Sequence, residues 1–268
     1  MVKTNFHTHT VYCDGKDTPA ELVKAAMEKG FTVLGFSGHS YLEIDRDFAM
    51  DDGAQRKYWD EVHALKEQYK GQLQIFCGLE QDCYSAPPKL AYDYLIGSVH
   101  HVKKGDDYPM TDGSVEQERH VLDTWYDGSF DAFAKDYFEV VGNVLDMTGA
   151  DIIGHIDLVM KNCEKTGYRP TADFLDYAQG AVTKLLPYGK PFEMNTGAMA
   201  RGHRTTPYPH PDILRMIYEG GGQIMLNADC HDATKLDCGL ELCAKLARDV
   251  GFREQVIFTD HGFETIGL

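Results

Sequence analysis

The segment TNFHTHTVYCDG, residues 4–15, places two histidines one residue apart directly after a short apolar stretch. Alternate residues of a strand point to the same side, so His7 and His9 are expected to face one shared centre. Asp14 follows on the next loop. The segment therefore predicts a first strand that ends at a cation-binding site.

Strand and helix patterns alternate along the rest of the chain. Strands are predicted at VKTNFHT, TVLGFSG, QLQIFCGLE, DYLIGSVHH, ADIIGHID, PFEMNT, GQIMLNAD and QVIFTD. The first helix, TPAELVKAAMEKG, begins with a capping box of Thr18 and Glu21 and ends at Gly30. Further helices are predicted near residues 54–70, 172–187, 211–219 and 238–250, with one or two between 114 and 148. Apolar strands that alternate with helices are typical of a parallel α/β barrel, and we expect a single domain spanning residues 1–268.

Composition excludes several classes of protein. The 26 Lys and Arg residues against 42 Asp and Glu residues give a net charge of −16, which argues against a nucleic-acid partner. The sequence lacks a run of ~18 apolar residues, so no membrane association is expected. It also lacks the apolar core of a signal peptide, which predicts a cytoplasmic protein. The seven cysteines are scattered without a CxxC pair and are expected to be buried thiols. The oligomeric state has no signature in the sequence.

Side chains that can bind metals follow six of the predicted strands. They are His7, His9, Asp14, His39, Glu80, His100, His155, Asp229 and His231. In a parallel barrel the carboxyl ends of all strands open onto one face, so these side chains are expected to converge. Divalent cations offset the cost of packing so many polar groups, and mixed imidazole and carboxylate ligands suit zinc, manganese or iron. Nine ligands exceed the need of one tetrahedral zinc, so two or three metals are expected, with Glu80 placed to bridge two of them.

Six motifs resemble, in order, those of the PHP (polymerase and histidinol phosphatase) superfamily: HTHTVYCDG, GFSGHS, GLEQD, GSVHH, GHIDL and NADCH. The chain length and the segments GHIDLVMK and FEMNTGAMAR are most similar to the monofunctional histidinol-phosphate phosphatases. The resemblance implies the PHP fold, a distorted, TIM-like (β/α)7 barrel that holds three divalent metal ions (Zn, Mn or Fe). The eighth strand pattern, QVIFTD, is therefore not expected to complete a regular barrel.

The resemblance also implies how the ligands are shared among the metals. The first metal would be held by His7, His9, Glu80 and Asp229; the second by Glu80, His100 and His155; and the third by Asp14, His39 and His231. His100 rather than the adjacent His101 is implied as the ligand, and strand alternation turns His101 elsewhere.

The predicted chemistry is hydrolysis of a phosphate ester. A hydroxide that bridges two metals would attack phosphorus in line, so no protein nucleophile is required. Arg201 and Lys161 are the candidates for binding the phosphate, and Arg201 is also a catalytic candidate. The general acid is left open among His203, His101 and Asp157, and Asp157 could equally orient a ligand histidine. Glu193 and Asn195 are candidates either for contacting a substrate amine or imidazole or for structural hydrogen bonding.

The leading hypothesis is an enzyme of histidine biosynthesis that hydrolyses the small molecule L-histidinol phosphate to L-histidinol and phosphate. A second hypothesis keeps the metal site and changes the substrate to a phosphotyrosyl protein, a nucleotide or a nucleic-acid end. A third is a metal-binding regulatory protein without catalysis, which predicts gaps in the ligand set. The nine positions contain none.

Overall fold

The structure is a computed structural model that describes residues 2–268. Its strands are β1 Thr4–Asn5, β2 Val33–Phe36, β3 Gln74–Cys77, β4 Leu79–Asp82, β5 Leu95–Ser98, β6 Ile152–Ile153, β7 Phe192–Asn195, β8 Ile224–Asn227, β9 Glu254–Thr259 and β10 Gly262–Gly267. Its helices are α1 Pro19–Glu28, α2 Asp52–Gln68, α3 Val115–Trp125, α4 Phe130–Val141, α5 Val144–Thr148, α6 Cys163–Thr166, α7 Ala172–Leu185, α8 Gly197–Ala200, α9 Pro211–Glu219 and α10 Leu240–Val250. Short 3-10 turns occupy Leu158–Met160, Leu186–Tyr188 and Ala233–Lys235.

The parallel strands form a ring. Strands β1, β2 and β3 pair in that order, and strands β4 to β8 pair in sequence order. Two parallel bridges join these sheets at the carboxyl ends of the strands, one between Thr8 and Cys230 and one between His39 and Glu80. Because β3 and β4 are consecutive halves of one chain segment, the ring contains seven strand positions. The predicted distorted seven-unit barrel is confirmed.

The predicted strand QLQIFCGLE is divided at Gly78 into β3 and β4. The ring of Tyr94 packs so closely on Gly78 that an added Cβ would lie 2.4 Å from it. The Tyr94 hydroxyl donates to the backbone oxygens of Phe6 (2.5 Å) and Phe36 (2.9 Å). The residues before Gly78 form β3, which pairs with β2. The residues after it form β4, which carries Glu80 and pairs with β5.

The last predicted strand, QVIFTD, lies outside the ring, as expected. It forms β9, which pairs antiparallel with β10. Val256 and Ile257 of β9 pack into an apolar cluster with Ile96, Ile152 and Met225 of the ring strands. These ring residues precede the predicted ligands on their strands, so the hairpin covers the end of the barrel opposite to the ligands.

Local sequence signals explain where the helices begin and end. The capping box of α1 is present: Glu21 N–H donates to Thr18 Oγ1 (3.3 Å), and Thr18 N–H donates to Glu21 Oε2 (2.9 Å). Residues 114–148 form three helices rather than one or two. Gly128 adopts the left-handed conformation between α3 and α4, and Gly142 ends α4. The aromatic residues of α4 are buried as core, as their helical spacing predicts.

The cysteines are free thiols, and five of the seven are buried. The expectation of buried thiols therefore holds for these five, whereas Cys13 and Cys238 are partly exposed. Within residues 2–268, the helices are too short or too polar to cross a membrane.

Candidate active site

The nine predicted ligands meet at the carboxyl ends of the ring strands, around Glu80. Glu80 is 1% exposed. Its Oε2 faces imidazole nitrogens of His7 (3.2 Å), His9 (3.4 Å) and His39 (3.0 Å), and its Oε1 faces those of His155 (2.9 Å) and His100 (3.4 Å). One carboxylate therefore contacts five of the six histidines, which is the position expected of a bridging ligand.

Two further carboxylates complete the cluster. Asp229 Oδ1 lies 3.2 Å from His9 Nε2 and 3.4 Å from His231 Nδ1. Asp14 Oδ2 lies 3.1 Å from His231 Nε2, and Asp14 Oδ1 lies 3.5 Å from His39 Nε2. Asp229 Oδ1 also lies 3.7 Å from His7 Nε2, and Asp14 Oδ1 lies 3.4 Å from His9 Nδ1. Each carboxylate thus contacts three histidines, and His9 and His231 each contact both acids.

Four overlapping groups place their ligand atoms within 4.8 Å of one another. They are His9, Asp14, His39 and His231; His7, His155 and Asp229; His7, His9 and Glu80; and His39, Glu80 and His100. The first group contains the whole predicted ligand set of the third metal, together with His9. Because the groups share members, cations bound to them would be close neighbours.

Unpartnered buried atoms indicate that this cluster fits metal ions. His7 Nδ1 donates to Glu193 Oε1 (2.6 Å), which leaves a lone pair on His7 Nε2. His7 Nε2, His9 Nε2 and Glu80 Oε2 are buried and have no hydrogen-bond partner. Such atoms carry a large desolvation cost that a divalent cation between them would offset. Imidazole nitrogen and carboxylate oxygen are a donor set for zinc, manganese or iron.

The carboxylates and imidazoles of the cluster shift one another's pKa values. Burial alone would raise the pKa of Glu80, but His7, His39 and His100 hold that pKa well below its ordinary value. Burial and repulsion from His231 and His39 lower the pKa of His9 to about 3. Burial alone would lower the pKa values of His7, His39 and His100, but the neighbouring carboxylates raise them, that of His100 to about 10. Because a metal binds the neutral imidazole, a cation bound here would displace protons from these rings.

Glu193 and Asn195 of β7 lie behind the ligands rather than in the cavity. Glu193 is buried and accepts hydrogen bonds from His7 Nδ1 (2.6 Å), the His155 backbone N–H (2.9 Å), Asn195 Nδ2 (2.9 Å) and Asn227 Nδ2 (2.9 Å). These donors occupy both carboxylate oxygens of Glu193. The structure therefore agrees with the alternative that Glu193 and Asn195 make structural hydrogen bonds, and not with the alternative that they contact a substrate.

Asp82 supports a second ligand and was missed in the sequence. Its Oδ2 accepts from the Nδ1 of His100 (3.1 Å) and from the His100 backbone N–H (3.2 Å). Ser98 Oγ donates to Glu80 Oε1 (2.6 Å) from the neighbouring strand. Glu80 and Asp82 are alternate residues of β4, so strand alternation could have identified Asp82 within the GLEQD motif.

A cavity of about 600 Å³ opens in front of the cluster. Besides ligand residues, it is lined by Lys16, Phe48, Met110, Asp112, Leu158, Lys161, Ala200, Arg201, Asp232 and Lys235. Both predicted phosphate-binding residues are in this lining. Arg201 Nη1 donates to His231 Nδ1 (2.8 Å) and Arg201 Nη2 to Asp229 Oδ2 (3.3 Å), so its guanidinium lies directly beside the cluster.

The three candidates for the general acid are not brought to this cavity. His101 is buried, with its Nε2 3.5 Å from Asp45 Oδ2. Burial and the nearby Lys161 and Lys165 lower the pKa of His203 to about 4, so this ring is uncharged at neutral pH and lacks the acidic imidazolium proton. Asp157 is fully buried and accepts from the His210 backbone N–H (2.8 Å).

Gly197, the first residue of α8, gives a sharp prediction about the cluster. A Cβ at this position would lie 2.4 Å from Asp229 Oδ2 and 2.7 Å from Asp229 Cγ. Gly197→Ala is therefore expected to displace the Asp229 carboxylate and to weaken metal affinity ~10–100-fold, as loss of ligand support does. Metal titration of the purified protein measures this.

Gly180→Ala is the matched control for that variant. Gly180 lies inside α7, and an added Cβ there meets nothing within 4 Å. It is expected to leave metal affinity unchanged and to raise stability by ~0.5–1 kcal/mol, because alanine favours the helix. Unaltered metal affinity in Gly197→Ala would contradict the assignment of Asp229.

Comparisons with known proteins identify the family and the fold. A family model described as the PHP domain matches residues 5–197. The chain is 28% identical to a probable histidinol-phosphatase of Deinococcus radiodurans, over 92% of this chain and 93% of that one. It is 24% identical to the histidinol-phosphatase of Bacillus subtilis, over 87% and 95% of the two chains. The crystal structure of a Lactococcus lactis histidinol phosphate phosphatase, complexed with zinc, L-histidinol and phosphate, matches with a TM-score of 0.73 at 20% identity, covering 98% of each chain.

Proposed function

This chain belongs to the PHP domain family, and on that premise we propose that it is a metal-dependent phosphatase that converts L-histidinol phosphate into L-histidinol and phosphate. The observation that carries the proposal is that nine candidate ligand side chains, Glu80 among them, converge next to a cavity lined by Arg201 and Lys161. Relatives named histidinol-phosphatase align along almost the whole chain and support the choice of substrate. The reaction would serve histidine biosynthesis.

We propose that the nine side chains hold up to three divalent ions. The proposed ligands are His7, His9, Asp14, His39, Glu80, His100, His155, Asp229 and His231. Zinc, manganese or iron bound there would make a nucleophilic hydroxide available near neutral pH and would offset negative charge on the phosphate. The complete ligand set disfavours a regulatory protein that has lost catalysis.

Other residues of the chain orient the proposed metal ligands and bind the phosphate. Glu193 and Asp82 fix the ring orientations of His7 and His100 through their Nδ1 atoms, so the Nε2 atoms face the cluster. Arg201 presents its planar guanidinium to the cavity beside Asp229, which suits two oxygens of a phosphate. We assign no general acid, because His101, His203 and Asp157 lie outside the cavity lining.

The proposal treats residues 1–268 as one phosphoesterase domain. Its support is that the proposed ligands run from His7, near the amino end, to His231, so the site needs strands from both halves of the chain. A cytoplasmic location stays a prediction.

Removal of the Arg201 charge is expected to impair turnover while leaving the metals in place. Arg201→Met should lower kcat ~10²–10³-fold, the usual cost of deleting one donor to a developing oxyanion. The protein should still bind the same number of metal ions, because the proposed ligand atoms are untouched. Steady-state kinetics and elemental analysis on the same sample measure both quantities.

Lys165→Met is the matched control. Lys165 is exposed, donates to His203 Nδ1 (3.0 Å) and does not line the cavity, so its loss should leave kcat near that of the wild type. If Arg201→Met instead lost metal, Arg201 would be a structural partner of Asp229 and His231 rather than a phosphate ligand.

The proposed function is tested by phosphate release from L-histidinol phosphate, p-nitrophenyl phosphate, phosphotyrosyl peptides and a nucleotide panel, each with and without a chelator. A strong preference for L-histidinol phosphate that the chelator abolishes is the expected result. Chelator-sensitive activity on other esters alone would keep the metal site and change the substrate. Inactivity on every ester, with metals fully loaded, would overturn the proposal.

A further inference from the structure

Asp112 is a carboxylate of the cavity that the proposed metal site does not use. Within residues 2–268, the carboxylates that line the cavity are Asp14, Glu80, Asp112, Asp229 and Asp232. Three of them are proposed ligands. Asp232 is held by Lys16 Nζ (3.1 Å) and by Thr234 (2.6 Å). Asp112 remains as a carboxylate with a side chain 29% exposed, open to a ligand in the cavity.

The backbone on both sides of Asp112 is fixed. The Thr111 N–H donates to the His100 backbone oxygen (2.8 Å), and Thr111 Oγ1 donates to the Val99 oxygen (3.2 Å). On the other side, the Gly113 oxygen accepts from the buried Asn162 Nδ2 (3.1 Å). A recognition residue needs such support, because a side chain that must first be ordered binds more weakly.

A positive charge lies directly beside Asp112. Lys161 Nζ is 3.6 Å from Asp112 Oδ2 and also donates to the Asp112 backbone oxygen. Burial would raise the pKa of Asp112, but Lys161, His100 and Arg201 together lower it, so the carboxylate stays ionised at neutral pH. The cavity wall thus presents an anion and a cation side by side.

We propose that Asp112 and Lys161 together recognise a 2-ammonioalkyl phosphate, in which the ammonium group is on the carbon next to the one that bears the ester oxygen. Asp112 binds the ammonium group and Lys161 binds the phosphate. The inference rests on the proposed function and extends it to a specificity residue. In L-histidinol phosphate the amine and the ester oxygen are on adjacent carbons, so only the bonds N–C–C–O–P separate nitrogen from phosphorus. Adjacent opposite charges on the substrate therefore meet adjacent opposite charges on the wall. Simple alkyl and aryl phosphates lack the ammonium group.

The alternative role of Asp112 is to position Lys161 alone, and the amine of the substrate distinguishes the two. We would measure kcat/KM of the metal-loaded wild type and Asp112→Asn on L-histidinol phosphate and on its deamino analogue, 3-(imidazol-4-yl)propyl phosphate. The variant is expected to lose at least about 30-fold on the amine-bearing ester, as when one partner of a charged pair is removed. It should keep its rate on the deamino analogue. Equal losses on both esters, or no loss on either, would overturn the proposal.

Asp106→Asn is the matched control. Asp106 is an exposed acid of the same segment and does not line the cavity, so removal of its charge should not change the ratio between the two esters.

Failure of the proposed function would be visible separately, in the wild type. If the wild type does not act on L-histidinol phosphate, the same ratio is measured with 2-aminoethyl phosphate and ethyl phosphate. Amine preference that disappears in Asp112→Asn would keep the recognition proposal and move the substrate. Without any amine preference in the wild type, the recognition proposal fails as well.

Discussion

Glu80→Gln is expected to slow phosphate release strongly and to lower the number of metal ions bound per chain. Glu80 contacts five histidines of the cluster, and its carboxylate is the proposed bridge between two metals. Glutamine keeps the shape but removes the negative charge and one acceptor. Since loss of a supporting residue already costs ~10–100-fold, loss of the bridge should reduce kcat by at least ~100-fold. Elemental analysis and phosphate-release kinetics measure the two effects together.

Asp93→Asn controls for the loss of a partly buried carboxylate as such. Asp93 pairs with Lys66 Nζ (3.1 Å) and accepts from the Cys77 N–H (2.8 Å), away from the cavity. This variant should keep its metals and its activity, with any cost confined to stability. A Glu80→Gln enzyme with full metal content and a normal rate would show that the bridge is placed wrongly.

The proposed ligand cluster could be predicted from the sequence because it depends on local rules. Each proposed ligand lies near the carboxyl end of an apolar segment, either within its last strand residues, as Glu80 does in β4, or just after the strand, and parallel strands of a barrel end on one face. Strand alternation then puts His7 and His9 on the same side. Helix bounds were predictable for a similar reason: α9 was expected at 211–219 and spans Pro211–Glu219, where proline begins the helix and glycine follows its end.

The layer around the ligands could not be predicted, because it depends on which strands become neighbours. Glu193 is 186 residues from His7 in sequence, and the closed barrel brings its carboxylate to Nδ1 of the His7 imidazole. The alternation of residues along a strand predicts which face a side chain is on. It does not predict whether that side chain binds a metal, hydrogen-bonds to a metal ligand or contacts the substrate. The neighbouring pair of Asp112 and Lys161, 49 residues apart, is likewise a product of tertiary structure.

Glu193→Gln is expected to weaken metal binding ~10–100-fold and to leave KM for the substrate unchanged once metal is saturating. The wild-type carboxylate accepts hydrogen bonds from four donors, including His7 Nδ1 and the His155 backbone N–H. Glutamine would turn an NH₂ group toward one of those donors, so the ring of His7 would lose its fixed orientation. Excess metal should restore most of the activity, because the cavity lining is unchanged.

Rescue by metal separates this role from direct contact with a substrate. If Glu193 bound the substrate amine or imidazole, Glu193→Gln would raise KM, and added metal would not correct it. Glu118→Gln is the matched control, since Glu118 is also a buried carboxylate but accepts from Asn162 Nδ2 (3.1 Å) outside the ligand cluster. A metal requirement that changes in Glu193→Gln and not in Glu118→Gln would establish that Glu193 of β7 orients the imidazole of His7 through Nδ1. That orientation is what directs the unpartnered Nε2 of His7 toward the metal.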